Sequence, residues 1–575
     1  MPSKTLLLVL LCVPWNAISQ SLIPSGFEAW PVPIEKRVFP GSFSRETANR
    51  AVRLVGCRNE VVSAQFATRN DRTSRLSYRL SPLHGDHNAE IPINALQIRY
   101  GMYLPVDETA QYTADPLVDL KSQALPANVA LPLWLTLRIP KSIRAGRYRG
   151  TLTLSADERS LDFSLDLEVL EATLPDAPDY SFYLNLWQDP NGVARAHKVK
   201  LWSEEHWRLL SLYGENLADH GEKSIMTAVI HDPWNAQTGY EFPTMVEWKY
   251  PGEWKTKDAS GFQWDFTLFD RYVNLMITAG VKAKIDIYAM VKGPGPTPDA
   301  SIRYFDTRTK IYRTEPLKVG DPKWREAWTV FLPVLKAHLI EKGWWQIAYL
   351  GFDEKPKDLM DQLVEFISQA GPDFKLVMSG GHASGGAGRE VVVHWDELGG
   401  ETWQKELAPI AKKMREKGQL ISFYTACEPH FPNLFLYSSL RESRMFPWVA
   451  WKYDLSGYTR WAVNAFPDYV FAQPNFKWHS GDMYLLYPGE TGPLDGMRFE
   501  LLRQGIQDYE ALCIAHEMAS FWGRADLLKM LDGAVAMATM LDSCRDIPLV
   551  EEARNIVNEV IRQSGSPDEM GKRVR

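Results

Sequence analysis

The 575-residue chain has few cysteines, no excess of charge of one sign and no long apolar segment beyond its first 19 residues. A chain of this length can bury a large hydrophobic core, so its five cysteines are not needed as staples. Acidic and basic side chains number 71 and 64, a balance that excludes the basic footprint of a nucleic-acid-binding protein. Without a second apolar stretch, no membrane insertion is predicted.

Several motifs of metal and nucleophile chemistry are also missing. The chain has no His-Glu-x-x-His pair, no zinc-spaced set of cysteines and no Asp-rich calcium loop, so no metal or cofactor is predicted. Ser384 does not lie in a Gly-x-Ser-x-Gly turn. The glycine-rich segment 380–388 lacks the Lys-Ser/Thr ending of a phosphate-binding loop, and a flexible loop is the better interpretation.

Residues 1–19 have the pattern of a secretory signal peptide. A lysine at position 4 precedes an apolar run, and the segment ends in the small-x-small sequence Ala-Ile-Ser at 17–19. A lipoprotein would need a small residue before Cys12, where Leu11 stands. We therefore expect an exported protein, periplasmic or extracellular.

Export permits disulfides, and two of the four cysteines that remain after the leader lie on neighbouring helical patterns near the C-terminus. Cys513 and Cys544 could pair there. Two free, buried thiols are an equally good interpretation, because a large domain needs no covalent staple.

Residues 20–172 predict a β-sandwich domain. Short runs alternate apolar and polar residues, and the segment 131–139 places a leucine or isoleucine at every second position. The runs 147–154 and 161–169 flank a turn and predict a hairpin. Many short strands without helical periodicity are typical of a sandwich. We expect this domain to pack against the remainder of the chain, with sugar binding as a weaker alternative.

After the proline-rich linker at 174–179, strand-like runs alternate with amphipathic helical segments, the pattern of a parallel α/β fold. We therefore predict a multidomain β plus α/β protein, in which a (β/α)8 TIM-type barrel with C-terminal helices occupies 180–545. A terminal helix and polar tail follow at 546–575. The predicted barrel strands are 180–187, 224–230, 281–289, 346–352, 374–379, 391–395, 420–425 and 447–451, with 482–487 competing for the eighth place.

The most informative stretch is 346–356. An apolar run ends in Asp353 and Glu354, Pro356 then forbids further strand pairing, and an amphipathic helical pattern follows. In a parallel barrel the C-terminal end of a strand carries the chemistry. Helix capping by such carboxylates is the competing interpretation. The Asp-Glu pair at 396–397, after a second strand-like run, is the one rival, and capping suits it better.

Neighbouring carboxylates do not suit a direct double displacement, which needs two carboxyl groups about 5–5.5 Å apart across the anomeric carbon. They suit a reaction in which one carboxylate protonates the leaving oxygen while the other holds a substrate group that itself attacks. A 2-acetamido sugar carries such a group. The composition fits a carbohydrate substrate, because aromatic rings stack on the apolar faces of sugars and the chain has 21 tryptophans, 23 tyrosines and 24 phenylalanines. Large cores also use aromatic residues.

The Leu-Gly-Phe-Asp-Glu segment at 350–354, the sandwich-then-barrel order and the segments 481–489 and 497–510 resemble glycoside hydrolase family 123 over about residues 25–545. The resemblance implies a retaining N-acetyl-β-galactosaminidase that works through an oxazolinium intermediate. It implies that Asp353 orients the acetamido group and that Glu354 acts as acid and then base. Glu354 is expected to be buried among aromatic side chains.

Other binding residues are predicted from their positions near strand ends. They are aromatic or histidine side chains that could stack on a sugar or bond its hydroxyls: Trp187, His231, Trp234, His394, Trp395, Tyr424, Trp448, Trp451 and Tyr487. Core packing is the competing role for each. Other functions stay open. One is a retaining hydrolase of non-acetamido glycans that uses Glu354 with Glu428 or Asp454 as the second carboxylate. The others are a hydrolase of N-acetylglucosamine substrates and a non-catalytic glycan-binding protein.

Overall fold

The computed structural model describes residues 26–565 except 45–49, 256–257, 289, 295, 297, 381–389 and 542–546. The signal peptide lies outside the described residues, as do most of the glycine-rich segment and Cys544. The leader and the Cys513–Cys544 pairing therefore stay predictions.

The N-terminal part is built from strands alone, apart from short 3-10 turns. Its strands are β1 Glu28–Val32, β2 Ala51–Arg58, β3 Val61–Arg69, β4 Ser74–Leu80, β5 Leu83–Gly85, β6 Glu90–Ile91, β7 Leu96–Val106, β8 Gln111–Val118, β9 Ser122–Leu125, β10 Leu131–Arg138, β11 Gly146–Ala156 and β12 Arg159–Thr173. One sheet has the order β1-β3-β10-β7-β8, and the other has the order β2-β12-β11-β4-β9 with β5 and β6 at its side. The two sheets share one hydrophobic core, in which the rings of Phe66 and Phe163 meet at 5.1 Å.

Strand β10 shows how this sandwich is attached to the remainder of the chain. Its leucines, at alternate positions from 131 to 137, face the core between the two sheets. Trp134 points the other way and packs with Met497 and Leu501. Both faces of the strand are therefore buried, which explains why its sequence is apolar at nearly every position.

The remaining strands are β13 Tyr183–Leu186, β14 Ser224–Ala228, β15 Glu247–Tyr250, β16 Gln263–Asp265, β17 Lys284–Tyr288, β18 Ile302–Asp306, β19 Ile311–Glu315, β20 Ala348–Asp353, β21 Lys375–Ser379, β22 Glu390–His394, β23 Leu420–Tyr424, β24 Gly457–Arg460, β25 Leu486–Pro488 and β26 Pro493–Asp495. Eight of them form a parallel sheet in the order β13-β24-β23-β22-β21-β20-β17-β14. A single bridge between Leu184 and Glu222 joins its two edges, so the barrel is nearly closed. Strands β15, β16, β18 and β19 form a separate sheet in the long connections, and β25 and β26 form a hairpin.

Helices surround the barrel. They are α1 Pro190–Ala196, α2 Glu204–Asp219, α3 Thr267–Ala279, α4 Pro322–Glu341, α5 Lys357–Ala370, α6 Ala408–Glu416, α7 Leu440–Lys452, α8 Met497–Phe521, α9 Ala525–Ala538 and α10 Leu549–Gln563. Helix α5 buries the apolar face that its sequence pattern predicts, from Leu359 to Ile367. Among the described residues, no helix has the length and apolar character needed to cross a membrane.

The eighth predicted strand is wrong. Residues 447–451 lie inside helix α7, and the eighth barrel strand is β24, which sequence analysis missed. At Gly457 an added Cβ would lie 1.7 Å from the carbonyl oxygen of Tyr183, so only glycine permits this close pairing with β13. The competing segment 482–487 contributes to the β25–β26 hairpin instead.

Helix α8 joins the two parts of the chain through buried polar contacts. The side-chain amide of Gln507 bonds both the N–H and the carbonyl of Val61 at 2.8 Å. Arg498 is fully buried and donates to Asp115 of the sandwich at 3.0 Å, and also to the carbonyl oxygens of Gly481 and Tyr484. The sandwich and the barrel are thus held by paired charges as well as by apolar packing.

We predict that Arg498→Met lowers the free energy of unfolding by about 3–5 kcal/mol, because it leaves the carboxylate of Asp115 buried without its cation. Chemical denaturation monitored by circular dichroism measures this loss. The matched control is Arg149→Met, which breaks an exposed pair with Asp166 and should cost no more than about 1 kcal/mol. Equal losses in the two variants would contradict the prediction.

Candidate active site

Strand β20 ends at the C-terminal rim of the barrel in two neighbouring carboxylates. Asp353 is the last residue of the strand. Glu354 follows with a φ of 46°, in the left-handed region that side chains other than glycine rarely adopt. Its N–H donates to the carbonyl oxygen of Ser379 at 2.9 Å, which holds this turn against β21. Strained backbone of this kind is concentrated at functional sites.

The two carboxylates have different surroundings. Asp353 is buried, with 8% of its surface exposed, whereas Glu354 is exposed. Burial raises the pKa of Asp353 well above its usual value, the charge of Glu354 adds to this shift, and Lys355 opposes it. The expectation that Glu354 is buried among aromatic rings is therefore wrong, because the turn after β20 directs the chain to the surface and Asp353 takes the enclosed position.

Tyr424, at the end of β23, reaches Glu354. Its hydroxyl donates to Oε1 of Glu354 at 2.8 Å. Burial, followed by the adjacent carboxylate, raises the pKa of this tyrosine, so the phenol stays protonated as a donor. The ring of His394 packs edge-on against Tyr424 at 4.9 Å, and its Nε2 lies 3.3 Å from the carbonyl oxygen of Glu428. The ends of β20, β21 and β23 therefore meet at Glu354, and the end of β22 lies beside Tyr424.

Gly380 fits closely beside this turn. It has a φ of 102°, and its N–H donates to the carbonyl oxygen of Val392 at 3.1 Å. An added Cβ would lie 3.2 Å from the Cα of Glu354. A residue with a side chain would have a strained backbone here, and its Cβ would press on Glu354. These two constraints explain why position 380 is a glycine.

A cluster of three aromatic rings lies beside strand β20. Trp187 follows β13, Trp234 follows β14 and Tyr288 ends β17, with ring centroids 5.0–5.7 Å apart. Tyr288 covers Gly351 of β20, where an added Cβ would come within 2.6 Å of the ring. The indole N–H groups of both tryptophans lack a hydrogen-bond partner among the described residues. The cluster thus supports the strand that carries Asp353 and leaves two donors unused.

His231 also lies in the connection after β14. Its Nε2 is 3.0 Å from Glu241 and 2.7 Å from the guanidinium of Arg303 in β18. Burial lowers the pKa of His231, so its neutral form is favoured. These contacts attach the connection after β14 to the separate four-stranded sheet.

Four predicted sugar-binding residues are not brought to Glu354. Trp395 packs against Phe423 and Phe446 between β23 and α7, and Trp451 packs against Tyr509 and His516 of α8. The indole of Trp448 donates to Asp508 of α8 at 3.2 Å. Tyr487 is fully buried and donates to Asp115 of the sandwich at 2.6 Å. Packing between layers, which the sequence does not separate from ligand binding, explains all four.

The alternative carboxylates are also placed by the structure. Asp454 pairs with Arg415 and precedes β24, so it lies at the opposite end of the barrel from Glu354. Glu428 is exposed and pairs with His430 at 3.3 Å. In the rival Asp-Glu pair, Glu397 accepts from the N–H of His394 at 3.0 Å and caps a short 3-10 turn.

One group in the described part of the chain has the spacing of metal ligands: His220, Asp495 and Glu500. Its acidic members are already neutralised, since Arg99 contacts Asp495 and Glu500 at 2.5 Å each and Arg503 contacts Glu500. The pKa of Glu500 is lowered by these guanidinium groups in spite of its burial. Two buried cations beside the carboxylates disfavour a metal ion, and the group is better described as part of the contact between sandwich and barrel.

Comparison with known proteins identifies the family. The sequence model of the glycoside hydrolase 123 catalytic domain matches residues 187–515, and that of the glycoside hydrolase 123 N-terminal domain matches residues 41–156. The chain belongs to glycoside hydrolase family 123. It is therefore a glycoside hydrolase, and the expectation drawn from the 350–354 segment is confirmed at this level.

Solved structures agree on the fold of this family 123 hydrolase. It superposes on a family 123 glycoside hydrolase from Clostridium perfringens, analysed for glycolipid glycan hydrolysis, with a TM-score of 0.82 at 20% identity, over 94% of this chain and 98% of the other. For a GH10 xylanase from termite gut the TM-score is only 0.29 at 10% identity, over 72% of this chain and 94% of the other. No curated protein matches the chain in sequence.

The raised pKa of Asp353 predicts that the folded protein becomes more stable when the negative charge of the Asp353 carboxylate is removed. A carboxyl group whose pKa is higher in the folded than in the unfolded chain disfavours folding as the pH rises and it ionises. We expect Asp353→Asn to melt at a higher temperature than wild type at neutral pH. The difference should shrink toward pH values near the ordinary aspartate pKa of about 3.9.

Melting curves across this pH range test the prediction. The control is Asp532→Asn, at an exposed aspartate of helix α9, which should not raise the melting temperature at neutral pH. A lower melting temperature for Asp353→Asn at neutral pH would show that the charge of Asp353 stabilises the fold.

Proposed function

We propose that the chain is an exo-acting, retaining glycoside hydrolase that releases terminal β-linked N-acetylgalactosamine by substrate-assisted catalysis. The observation that carries this proposal is the contrast between the two neighbouring carboxylates at the end of β20. Asp353 is enclosed and its pKa is raised by burial, whereas Glu354 is exposed and accepts a hydrogen bond from Tyr424. One is suited to hold a substrate group, and the other to exchange protons with the leaving group and with water.

In the proposed reaction, Asp353 accepts a hydrogen bond from the acetamido N–H of the substrate. The acetamido carbonyl oxygen then attacks the anomeric carbon while Glu354 gives its proton to the leaving oxygen, so the glycosidic bond breaks and an oxazolinium ion forms. Glu354, now a carboxylate, takes a proton from water, and the water oxygen opens the oxazolinium at the anomeric carbon. Two inversions at that carbon give net retention.

The positions of other side chains support this assignment. Tyr424 contacts Glu354 and His394 packs on Tyr424, while the unused indole donors of Trp187 and Trp234 belong to the aromatic cluster whose Tyr288 covers Gly351, two residues before Asp353. A direct displacement would need a second carboxylate across the anomeric carbon, and Asp454 is at the other end of the barrel. We assign the nearly closed barrel to the (β/α)8 TIM type, in which active sites occupy this rim.

The setting of the reaction is also a proposal. The Clostridium perfringens relative is described as acting on glycolipid glycans, and we propose glycans or glycoconjugates of this kind as substrates here. The leader-like pattern of residues 1–19 supports export to the periplasm or the exterior.

We predict that wild type releases nitrophenol from the β-N-acetylgalactosaminide and not from the plain β-galactoside, because the latter lacks the attacking group. Asp353→Asn and Glu354→Gln should each lower kcat by about 10²–10⁴-fold. The matched control is the pair Asp157→Asn and Glu158→Gln, in the hairpin turn between β11 and β12. A thiazoline that mimics the oxazolinium ring should inhibit wild type.

Equal cleavage of the plain galactoside would contradict substrate assistance and favour a second carboxylate. Preference for the N-acetylglucosaminide would leave the mechanism intact and change the assigned sugar. Glycan binding without turnover would favour a non-catalytic protein.

The raised pKa of Asp353 also predicts the pH dependence of the rate. Asp353 holds the acetamido N–H best as a carboxylate, so kcat/KM should increase as the pH rises through the raised pKa of Asp353. The acid limb of the profile should therefore lie above the range of an ordinary aspartate, which titrates near about 3.9. An acid limb at that ordinary value, measured with the nitrophenyl substrate, would contradict this role.

A further inference from the structure

A row of side chains leads away from Glu354 on its exposed side. Tyr424 contacts Glu354, His394 packs on Tyr424, and His394 lies beside the backbone of Glu428. The side chain of Glu428 pairs with Nε2 of His430 at 3.3 Å. The row therefore continues beyond the site assigned above, along the connection after β23.

The row next reaches the loop between β24 and β25. The rings of His430 and His479 lie 4.6 Å apart, and the hydroxyl of Tyr437 is 3.4 Å from Nδ1 of His430. Nδ1 of His479 is 3.8 Å from Oε1 of Glu108. Glu108 belongs to the sandwich, so the row ends on the N-terminal domain.

The turn between β7 and β8, which carries Glu108, is fixed to the barrel. Glu108 accepts from the N–H of Ser480 at 2.8 Å and from its hydroxyl at 2.7 Å. Its neighbour Asp107 accepts from the amide of Asn475 at 2.9 Å. The sandwich thus supplies a carboxylate to the same rim that carries Glu354.

We infer that Glu108, Glu428, His430, Tyr437 and His479, here called the aglycone shelf, bind the sugar to which the terminal N-acetylgalactosamine is attached. The inference rests on the proposed function, and it deepens that function by assigning the site for the leaving group. The ligand class is a hexose or hexosamine unit in glycosidic linkage to the terminal residue.

The side of the site occupied by the shelf follows from the roles of the two carboxylates. Glu354 gives its proton to the leaving oxygen, so the departing sugar must lie on the side of Glu354 and not on that of Asp353. Asp353 is buried at the end of β20, where Tyr288 of the aromatic cluster covers Gly351. The exposed side is the one that the row of contacts follows.

The chemistry of the shelf suits a sugar. Carboxylates accept hydrogen bonds from hydroxyl groups, and a neutral imidazole both donates and accepts. The side chains of His430 and Glu428 are 58% and 61% exposed, so a ligand reaches them without a conformational change. Phe435 supports the ring of His479 at 4.9 Å, which leaves the histidine pair positioned before a ligand arrives.

The test compares two substrates in His430→Ala, His479→Ala and the double variant. The first is the nitrophenyl β-N-acetylgalactosaminide, and the second is an oligosaccharide with terminal N-acetylgalactosamine β-linked to galactose. We expect the ratio of kcat/KM for the oligosaccharide to that for the nitrophenyl glycoside to fall about tenfold in the double variant, since about 1.4 kcal/mol of binding corresponds to that factor. Glu108→Gln should lower the ratio less, because an amide oxygen still accepts.

The matched control is His84→Ala, which removes a histidine from another His-Glu pair, 3.6 Å from Glu90 on the far edge of the sandwich. It should leave both activities and their ratio unchanged. If the double variant lowers both activities equally, or neither, the shelf is a brace between domains and the inference is wrong.

A failure of the proposed function can be distinguished from a failure of the inference about the aglycone shelf. If wild type cleaves neither acetamido substrate, that function is wrong, and the shelf is then tested by titrating the same oligosaccharide into Glu354→Gln protein by calorimetry. Binding that weakens about tenfold when His430 and His479 are also replaced would support the shelf. Binding that does not change would overturn it.

Discussion

The burial of charged side chains on helix α8 constrains the rest of the structure. Asp508 accepts from Arg444 of α7 at 2.7 Å and from Arg554 of α10 at 3.0 Å, and Arg554 also reaches Glu60 of the sandwich. A buried charge that loses its partner costs several kcal/mol, so these pairs are satisfied only when sandwich, barrel and C-terminal helices are assembled together. The N-terminal domain is therefore an integral part of the enzyme.

The contacts that join sandwich, barrel and C-terminal helices extend to the rim of the barrel that carries Glu354. Arg498, at the start of α8, holds the loop between β24 and β25 through the carbonyl oxygens of Gly481 and Tyr484, while Glu108 holds the same loop through Ser480. The loop that carries His479 is thus fixed from both sides, by Arg498 of the same domain and by Glu108 across the domain boundary. Residues far from the carboxylates in sequence contribute to the shape of the site in this way.

Sequence patterns predicted those parts of the fold that depend on local periodicity. The apolar run before Asp353 and the amphipathic face of α5 each carry their own signal, so strand, acidic end and helix could be read directly. Strand β24 carries none, since its Gly-Tyr-Thr-Arg sequence resembles a turn. Its Arg460 is buried because distant residues satisfy it, with Asp482 and Asn433 each at 2.6 Å. Helix α7 is buried on nearly all sides, and its segment 447–451 is apolar at every position, so this segment resembles a strand.

The residues of the candidate site were likewise predicted only where a local sequence pattern marks them. Asp353 and Glu354 follow from a local pattern, whereas the burial of Tyr487 depends on Asp115, which is 372 positions away in the chain. A contact between residues so far apart in the chain cannot be predicted from a local sequence pattern. Glu108 follows Asp107 in a segment with no pattern that predicts a site, and its proximity to His479 depends on the packing of the sandwich against the barrel.

The conformation of Glu354 would allow adjacent carboxylates to serve one glycosidic bond in the reaction proposed above. Successive side chains of a regular strand point to opposite faces, which would separate Asp353 from its neighbour. The strand ends between them, and the left-handed conformation of Glu354 changes the direction of its side chain. That conformation and the enclosed carboxylate of Asp353 are both unfavourable in isolation. They persist because the surrounding barrel fixes them, through Ser379 on one side and Tyr424 on the other.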